Sequence, residues 1–391
     1  MSNVSPVAAP RPIRLAEILA LVVLWNSGYK GVRVLNTLYA LKLGASPFEI
    51  GLLLATYGLF ALVLAIYAGR IADRYGVFRP IVGGTIFTVA GIALPFFWPS
   101  MTAVFLSAAI SGTGFIFVQV GMQTLVGSLA SGPARTYNIN MYALIVSVAD
   151  FIGPVMAGFL IDHSGHVQTY LWLAVMSAFS LLGIGYFGRR FPRGAGPGGH
   201  GVKLRMRDLL SLPDLRRVFI ASAIVMTGLD LFQLYMPLYG HGVGLSASAI
   251  GLVLGTFAAA GFVTRALLPA MVRRLGEEKT LIVSLTVGAA TFMLIPLFQN
   301  PYALGAICFA LGLGMNLGQP LTVILTYNYS PPGRAGEAIG LRIAINNTMH
   351  VLVPPAFGGL GSLLGVAPIF WLSSAVLGIG AYVSRRRRPS L

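Results

Sequence analysis

The chain has 391 residues, of which 56% are hydrophobic and 10% are charged. Soluble globular domains carry about 25% charged residues, so this composition excludes a cytosolic enzyme and a disordered chain. The only cysteine is Cys308, which excludes a scaffold built on disulfides.

Twelve apolar segments of helix length follow one another along the chain. A helix needs about 20 apolar residues to cross a bilayer, so twelve spans occupy about 240 residues and leave no room for a separate soluble domain. The sequence therefore predicts an all-α membrane protein with twelve transmembrane helices. Their predicted bounds are 14–41, 48–69, 80–97, 101–128, 138–161, 168–187, 215–240, 248–270, 281–298, 302–328, 337–361 and 365–384.

The net charge of +16 comes from 27 Lys and Arg against 11 Asp and Glu. With both termini in the cytoplasm, 23 of the 27 basic residues fall in cytoplasmic segments or at the cytoplasmic ends of the spans, and only Lys42 falls on the opposite side. This asymmetry follows the positive-inside rule. It predicts a protein of the plasma (bacterial inner) membrane with both termini cytoplasmic. The basic charge is thereby assigned to orientation in the lipid bilayer, not to nucleic-acid binding.

The chain divides near its middle. Residues 189–213 form the longest connection, a Gly/Pro-rich stretch followed by a basic one. We interpret it as a cytoplasmic linker between an N-terminal six-helix bundle, 1–188, and a C-terminal six-helix bundle, 214–391. At a shift of 200 residues, six of the eleven residues in 46–56 are identical to those in 246–256. Such a repeat predicts two pseudo-symmetric bundles related by an axis along the membrane normal.

A motif of glycines, an acid and basic residues follows the second span. Its residues are Gly69, Asp73, Arg74, Gly76 and Arg79. Together with the twelve spans and the repeat, the motif resembles the loop 2–3 signature of the major facilitator superfamily, although Val77 and Phe78 stand where basic residues are usual. The resemblance implies two bundles that rock to give alternating access to a central site. It also implies that Asp73 is a conformational switch that contacts the eleventh helix in one state.

The fifth span carries a second, shorter resemblance. Gly153, Pro154 and Gly158 are similar to the later part of a Gly-Pro motif found in drug antiporters of that superfamily. The same residues are also typical of an ordinary Pro-bent helix with small packing residues, and both interpretations stay open. The fourth-span arginine common among relatives is absent, because residues 108–112 read Ala-Ala-Ile-Ser-Gly.

Ionisable side chains inside the spans are costly to bury, so each is a candidate functional residue. They are Lys30, Arg33, Asp150, Asp230, Arg265 and His350. At the shift of 200 residues, Lys30 is equivalent to Asp230, and Asp150 is equivalent to His350. We expect Lys30 and Asp230 to face each other and to pair when the outer side closes. Arg265 is expected to extend toward the cytoplasm.

Polar neighbours complete the predicted solute and proton site. Asn26 shares one face of the first span with Lys30 and Arg33, and Gln119 and Gln319 occupy equivalent positions on the fourth and tenth spans. Lys30 and Arg33 share one face without a nearby acid in their own span, which favours an anionic solute. The alternative interpretation is that the interior charges only hold helices together.

No Gly-Lys-Ser/Thr phosphate loop occurs in the sequence, which argues against ATP-driven transport. A membrane-embedded enzyme is a minor alternative, because the sequence has no catalytic motif and no metal-binding cluster; no cofactor is predicted. The sequence favours a monomeric, proton-coupled secondary transporter of a small organic solute. Short loops and the Gly-Pro motif favour an exporter (antiporter). The interior cations favour the alternative, import of an organic anion by proton symport.

Overall fold

The computed structural model describes residues 15–130, 132–187, 206–331 and 334–385. All regular structure in this part of the chain is helical. The elements are α1 (Leu15–Lys42), α2 (Pro47–Tyr75), α3 (Phe78–Phe97), α4 (Met101–Ser128), α5 (Gly132–Phe187), α6 (Met206–Ser211), α7 (Pro213–Gly242), α8 (Ala247–Leu275), α9 (Glu277–Leu294) with a 3-10 turn (Ile295–Leu297), α10 (Pro301–Tyr329), α11 (Ala335–Leu364) and α12 (Val366–Val383).

The twelve predicted spans are present in these elements. Ten of the described helices are long and apolar enough to cross a membrane. One of them, α5, supplies two spans, because Gly165 (φ 80°, ψ 164°) breaks it into limbs 132–164 and 166–187. The twelfth span is α11, whose 30 residues include Arg342, Asn346 and His350 and are therefore less apolar. The prediction of twelve transmembrane helices is confirmed.

The repeat extends to the backbone conformation. In the described residues, every residue with a positive φ is a glycine, and six glycines have one. Glycine adopts this conformation without the strain that a Cβ atom would cause. The six form three pairs separated by 200 residues: Gly44 and Gly244 (87° and 80°), Gly76 and Gly276 (80° and 79°), Gly165 and Gly365 (80° and 85°). Both halves therefore make the same three turns.

Two membrane faces follow from the helix order. The start of α1 and the end of α12 lie on one side, which we call the termini face; the turns at Gly44, Gly165, Gly244 and Gly365 lie on the other, which we call the opposite face. The helices alternate in direction between these faces. Contacts between the halves run mainly along two seams, α2 with α11 and α5 with α8.

Both seams are closed near the opposite face by direct backbone contact. A Cβ atom on Gly158 would overlap the carbonyl oxygen of Ala247, and one on Gly51 would overlap that of Pro354. Glycine at these positions therefore allows the helices of the two halves to approach closely.

Hydrogen bonds between the halves complete this closure. The Asp162 carboxylate accepts the backbone N–H groups of Ala247 and Ser248, at 3.1 and 2.8 Å, where α8 begins. At the equivalent point of the other seam, the Ser362 hydroxyl accepts the backbone N–H of Phe48 at 3.1 Å, where α2 begins. One seam is therefore capped by a charged group and the other by a neutral one.

The predicted linker, 189–213, lies mostly outside the described residues. Its described part contains α6, which presents Leu209 to Leu215 and Phe219 of α7 and to Ala338 and Leu341 of α11. This small apolar cluster packs α6 against α7 and α11, two helices of the second half, at the termini face.

A candidate solute site between the two halves

A cavity of about 780 Å³ lies between the halves and is lined mainly by α1, α5, α7, α8 and α10. Its lining extends from Thr37 and Leu54 to Asn140 and Leu268. The last two lie about two helical turns from the ends of α5 and α8 at the termini face. Because the opposite face is closed, the cavity opens toward the termini face.

Among the described residues, four charged side chains line this cavity: Lys30, Arg33, Asp150 and Arg265. Lys30 Nζ lies 2.7 Å from Asp150 Oδ1, and the two side chains are 22% and 36% exposed. The ion pair therefore belongs to the cavity wall and is accessible from the cavity. Three bases against one acid leave an excess of positive charge, which attracts anions into a cleft of this kind.

The two arginines reach the cavity from different halves. The Arg33 guanidinium lies 5.4 Å from the ring centre of Tyr57. No carboxylate of the described residues lies within 4 Å of it. On the other side, Arg265 of α8 interacts electrostatically with Asp150 of α5. An anion between α1 and α8 therefore has basic groups on both sides.

The expectation that Arg265 extends away toward the cytoplasm is wrong, because its side chain lines the cavity. Sequence reasoning left it out of the site. The sequence does contain a pattern that indicates this position. Residues three or four apart on α8 share one helix face, and those that line the cavity are Leu254, Ala258, Gly261, Arg265 and Leu268. This stripe turns one face of α8 toward the other half.

A second acid–base pair lies within the second half. His350 Nδ1 on α11 is 2.7 Å from Asp230 Oδ1 on α7. The Asp230 side chain is 4% exposed and the His350 side chain is 34% exposed. Neither residue lines the cavity between the halves.

The expected pairing of Lys30 with Asp230 is wrong for this conformation. The opposite face is closed, as that expectation required, yet Lys30 contacts Asp150 and Asp230 contacts His350. The physical reason is that α1 packs along α5, and α7 along α11, inside their own halves. The shift of 200 residues identifies equivalent positions, and equivalent positions here do not touch.

The predicted polar neighbours are placed differently from one another. Asn26 is buried on α1 and is not part of the cavity lining. Gln119 on α4 is half-buried and also lies outside the lining. Gln319 on α10 does line the cavity, and its side-chain oxygen accepts a hydrogen bond of 3.2 Å from Arg342 Nη1. The structure therefore brings only one of these three residues to the cavity.

The predicted switch motif forms the end of α2 and the start of α3. The surroundings of Gly69 and the side chain of Asp73 lie outside the described part of the chain. Arg74 and Arg79 both approach the ring of Tyr75, with guanidinium carbons 5.3 and 5.6 Å from its centre. This arrangement of two cations on one aromatic ring orders the turn at the termini face.

The Gly-Pro segment of α5 lies between α1 and α8. A Cβ atom on Gly153 would lie 2.7 Å from the Cβ atom of Lys30, so this glycine brings α5 against the helix that carries the lysine. Pro154 and Gly158 contact α8 through backbone atoms. In this conformation the three residues provide close helix packing beside the contact between Lys30 and Asp150.

Comparison with known proteins agrees with this architecture. A family model described as Major Facilitator Superfamily matches residues 19–347 and 218–391. Multidrug resistance protein 1 of Bacillus subtilis (strain 168) is 22% identical over 345 residues, 87% of each chain. Sugar efflux transporter A of Escherichia coli (strain K12) is 21% identical over 391 residues, 95% of each chain. The crystal structure of nucleoside transporter NupG matches with a TM-score of 0.79 and 12% identity, over 95% of this chain and 98% of that one. The chain belongs to the Major Facilitator Superfamily and is an integral membrane transporter, not an enzyme.

Proposed function

We propose that this transporter exports small organic anions across the bacterial plasma membrane in exchange for protons, and that it acts as a monomer. The observation that carries the proposal is the charge of the cavity, where, among the described residues, Lys30, Arg33 and Arg265 accompany one acid, Asp150. Export is supported by two relatives that are named a multidrug resistance protein and a sugar efflux transporter.

The positive-inside distribution of charge supports a cytoplasmic location for both termini. The termini face is then the cytoplasmic face, and the cavity is open to cytoplasmic solutes. An exporter takes up its solute in such a state, after which the two halves rock to close the termini face and open the opposite face.

We infer that an acidic group of the solute binds between Lys30 on α1 and Arg265 on α8, with Arg33 as an additional donor. Hydrogen bonds to charged groups contribute about 1.5–3 kcal/mol each, more than neutral ones. Because the three bases belong to different halves, a bound anion attracts both halves toward itself. That attraction favours closure of the termini face once the solute is bound.

Proton symport is the second candidate function, and the 2.7 Å contact between Lys30 and Asp150 favours it. A solute anion that takes Lys30 from Asp150 leaves the carboxylate without its nearest cation. A carboxylate in that situation binds a proton more readily. Solute and proton then bind to the same state and move in the same direction, whereas in an antiporter they bind to alternative states.

Purified protein in liposomes separates the two candidates when pH gradients of opposite sign are imposed. A panel of aromatic and aliphatic carboxylates, screened first by thermal shift, supplies a labelled solute. Antiport gives accumulation in liposomes with an acidic interior, and symport gives accumulation in liposomes with an alkaline interior. If neither gradient drives accumulation of a solute that the protein equilibrates, proton coupling is refuted.

The anion preference is tested with each carboxylate and its neutral amide. We expect the carboxylate to bind at least about tenfold more tightly, the difference that 1.4 kcal/mol produces. Lys30→Met should abolish most of this preference. Lys42→Met is the matched control, because Lys42 is exposed at the other end of the same helix. Equal binding of carboxylate and amide to the wild type would refute an anionic solute.

A further inference from the structure

Asp230 is a buried acid that lies outside the lining of the solute cavity. Its side chain is 4% exposed, Oδ1 lies 2.7 Å from His350 Nδ1, and Oδ2 is buried without a hydrogen-bond partner among the described residues. A buried carboxylate oxygen without a donor carries a desolvation cost, since the group has lost its hydration and has gained nothing in return. A proton added to the pair makes its net charge zero, which lowers that cost.

No fixed cation neutralises Asp230. In the described residues, no lysine or arginine nitrogen lies within 4 Å of its carboxylate. Among the helices that pack against α7, α10 and α12 contain no charged residue and no histidine. The α2 helix presents Gly58 to the backbone of His350. Among the residues that the structure describes, the basic group in contact with Asp230 is therefore the histidine itself.

Four charged side chains on the neighbouring helices α1, α8 and α11 are engaged elsewhere. Lys30 and Arg33 on α1, and Arg265 on α8, line the solute cavity. Arg342 lies two turns before His350 on α11 and donates through Nη1 to the hydroxyls of Ser222 and Thr322 and to the Gln319 side-chain oxygen. The charge of the Asp230 and His350 pair is thus set by its own protons.

The equivalent pair in the first half behaves differently in this respect. Lysine is ordinarily charged at neutral pH, and Lys30 and Asp150 form an ion pair. Histidine is the side chain whose ordinary change of charge falls between pH 5 and 8. Replacing lysine by histidine at a contact of the same length therefore exchanges a base that is ordinarily charged for one that can be neutral or charged near neutral pH.

We propose that Asp230 and His350 form a proton-binding site within the second half, outside the solute cavity, and that this site carries the coupled proton. In the empty site, neutral His350 donates its Nδ1 proton to the Asp230 carboxylate, and the pair has one negative charge. A proton added at Nε2 converts it into a neutral pair of imidazolium and carboxylate. The His350 side chain is 34% exposed, so it is the more accessible member of the pair. The inference rests on the proposed function in requiring proton-coupled transport.

Two transport assays separate a proton site from the solute site. Exchange of labelled for unlabelled solute across the liposome membrane needs no net proton movement, whereas accumulation driven by a pH gradient does. Asp230→Asn and His350→Gln remove titration while keeping size and hydrogen-bonding capacity. We expect both variants to retain exchange and to lose gradient-driven accumulation by at least about tenfold. Asp208→Asn, at an exposed acid of α6, is the matched control that keeps both.

Protonation can also be measured directly. In protein labelled with ¹⁵N-histidine, the signals missing from His350→Gln identify His350, and we expect them to show a second ring proton bound when the pH is lowered. A His350 signal that keeps one protonation state at every pH at which the protein accumulates solute overturns the proposal.

The remaining outcomes distinguish this inference from the proposed function. If wild type and His350→Gln accumulate solute equally under a pH gradient, the proton site lies elsewhere and the inference is wrong. If both variants lose exchange together with accumulation while remaining folded, the pair is not a separate proton site. If the wild type exchanges solute but no gradient drives accumulation, the proposed proton coupling itself fails.

Discussion

The two halves of the molecule share one backbone plan and differ in their central charges. The positive-φ glycines of the first half recur 200 residues later, so the same turns connect the same helices. At the centre, Lys30 and Asp150 occupy the positions equivalent to Asp230 and His350. Acid and base have exchanged helices, and lysine is replaced by histidine. The backbone is repeated while the chemistry is not: the first half has a lysine–aspartate pair in the cavity wall, and the second half has a histidine–aspartate pair outside the cavity lining.

The halves also differ in the side chains that lie between the central pairs and the termini face. In the first half these side chains include Val22, Met122, Tyr142 and Val146, which belong to one hydrophobic cluster. The equivalent residues of the second half are Ser222, Thr322, Arg342 and Asn346, and all four are buried. There Ser222 donates to the Asn346 side-chain oxygen at 3.0 Å, and Arg342 Nε has no hydrogen-bond partner among the described residues. Since Arg342 also holds Gln319, this buried cation adds positive potential to the second-half wall of the cavity.

The largest effect is expected at the glycine seams, where the halves should behave alike. Gly158→Val and Gly358→Val each place a branched side chain against the backbone of the other half, at Ala247 and Pro47. Overpacking costs about 1–3 kcal/mol, so transport should fall about tenfold or more and the opposite face should label more readily with a thiol reagent at an introduced cysteine. Gly359→Val is the control, because its nearest neighbour lies 3.8 Å from the added Cβ. Tolerance of valine at one seam only would show that the halves also differ in closure.

The next effect concerns Lys30, the base of the first-half pair. Lys30→Met removes a charged partner worth about 1.5–3 kcal/mol and should weaken anion binding about tenfold to a hundredfold in a calorimetric titration. The double variant Lys30→Asp with Asp150→Lys swaps the two residues, which places the acid on the first helix and the base on the fifth, as in the second half. We expect it to restore the folded stability lost in Lys30→Asp alone, because the pair is re-formed. Equal stability of the single and double variants would mean that the contact does not hold α1 to α5.

Swapping the two bases, lysine and histidine, between the halves should change the pH dependence of binding and transport more than it changes the transport rate. Lys30→His gives the first half a titratable base, so anion binding should strengthen as the pH falls from 8 to 5 and the imidazole gains its charge. His350→Lys gives the second half a base that is ordinarily charged at neutral pH, so the transport rate should lose its pH dependence over the same range. Binding and exchange measured at several pH values check both. A pH profile unchanged by either substitution contradicts the contrast drawn between the two pairs.

The smallest effect is expected at the two caps between the halves. The Asp162 carboxylate accepts two N–H groups at the positive end of α8, whereas Ser362 accepts one at the start of α2. Loss of a helix cap costs about 0.5–2 kcal/mol, and charge adds a few tenths more. Asp162→Ala should therefore increase labelling at the opposite face more than Ser362→Ala does. Ser164→Ala, which removes a hydrogen bond within α5, is the control; equal labelling of the two cap variants would show that charge adds nothing to the seam.

The fold follows largely from sequence patterns because apolar length and charge asymmetry report directly on the bilayer. The first predicted span, 14–41, nearly coincides with α1, Leu15–Lys42. The second prediction stopped at 69, whereas α2 continues to Tyr75. Hydropathy falls where charged residues leave the membrane, but the helix itself ends only where Gly76 adopts a positive φ. Span number and order could therefore be predicted, while helix ends depend on local capping.

The site was less accessible to sequence reasoning. The interior charges were found because each is rare inside a span. Their partners were not, because a repeat relates Lys30 to Asp230 by symmetry without bringing them together, and contacts depend on which helices pack side by side. Arg265 was assigned to the cytoplasmic boundary from its distance to the next loop. Its true position depends on the rotation of α8, which is set by the glycine contacts with α5.

The closed seams also bear on how the polypeptide can be assembled. Contacts such as that of Gly251 with the Pro154 carbonyl oxygen join the halves through backbone surfaces that are complete within each half. Covalent continuity between residues 188 and 206 is not part of these contacts. Two polypeptides divided in that segment should therefore recombine in a bilayer by fragment complementation. A protein rebuilt in this way would allow isotopes or fluorophores to be placed in one half alone.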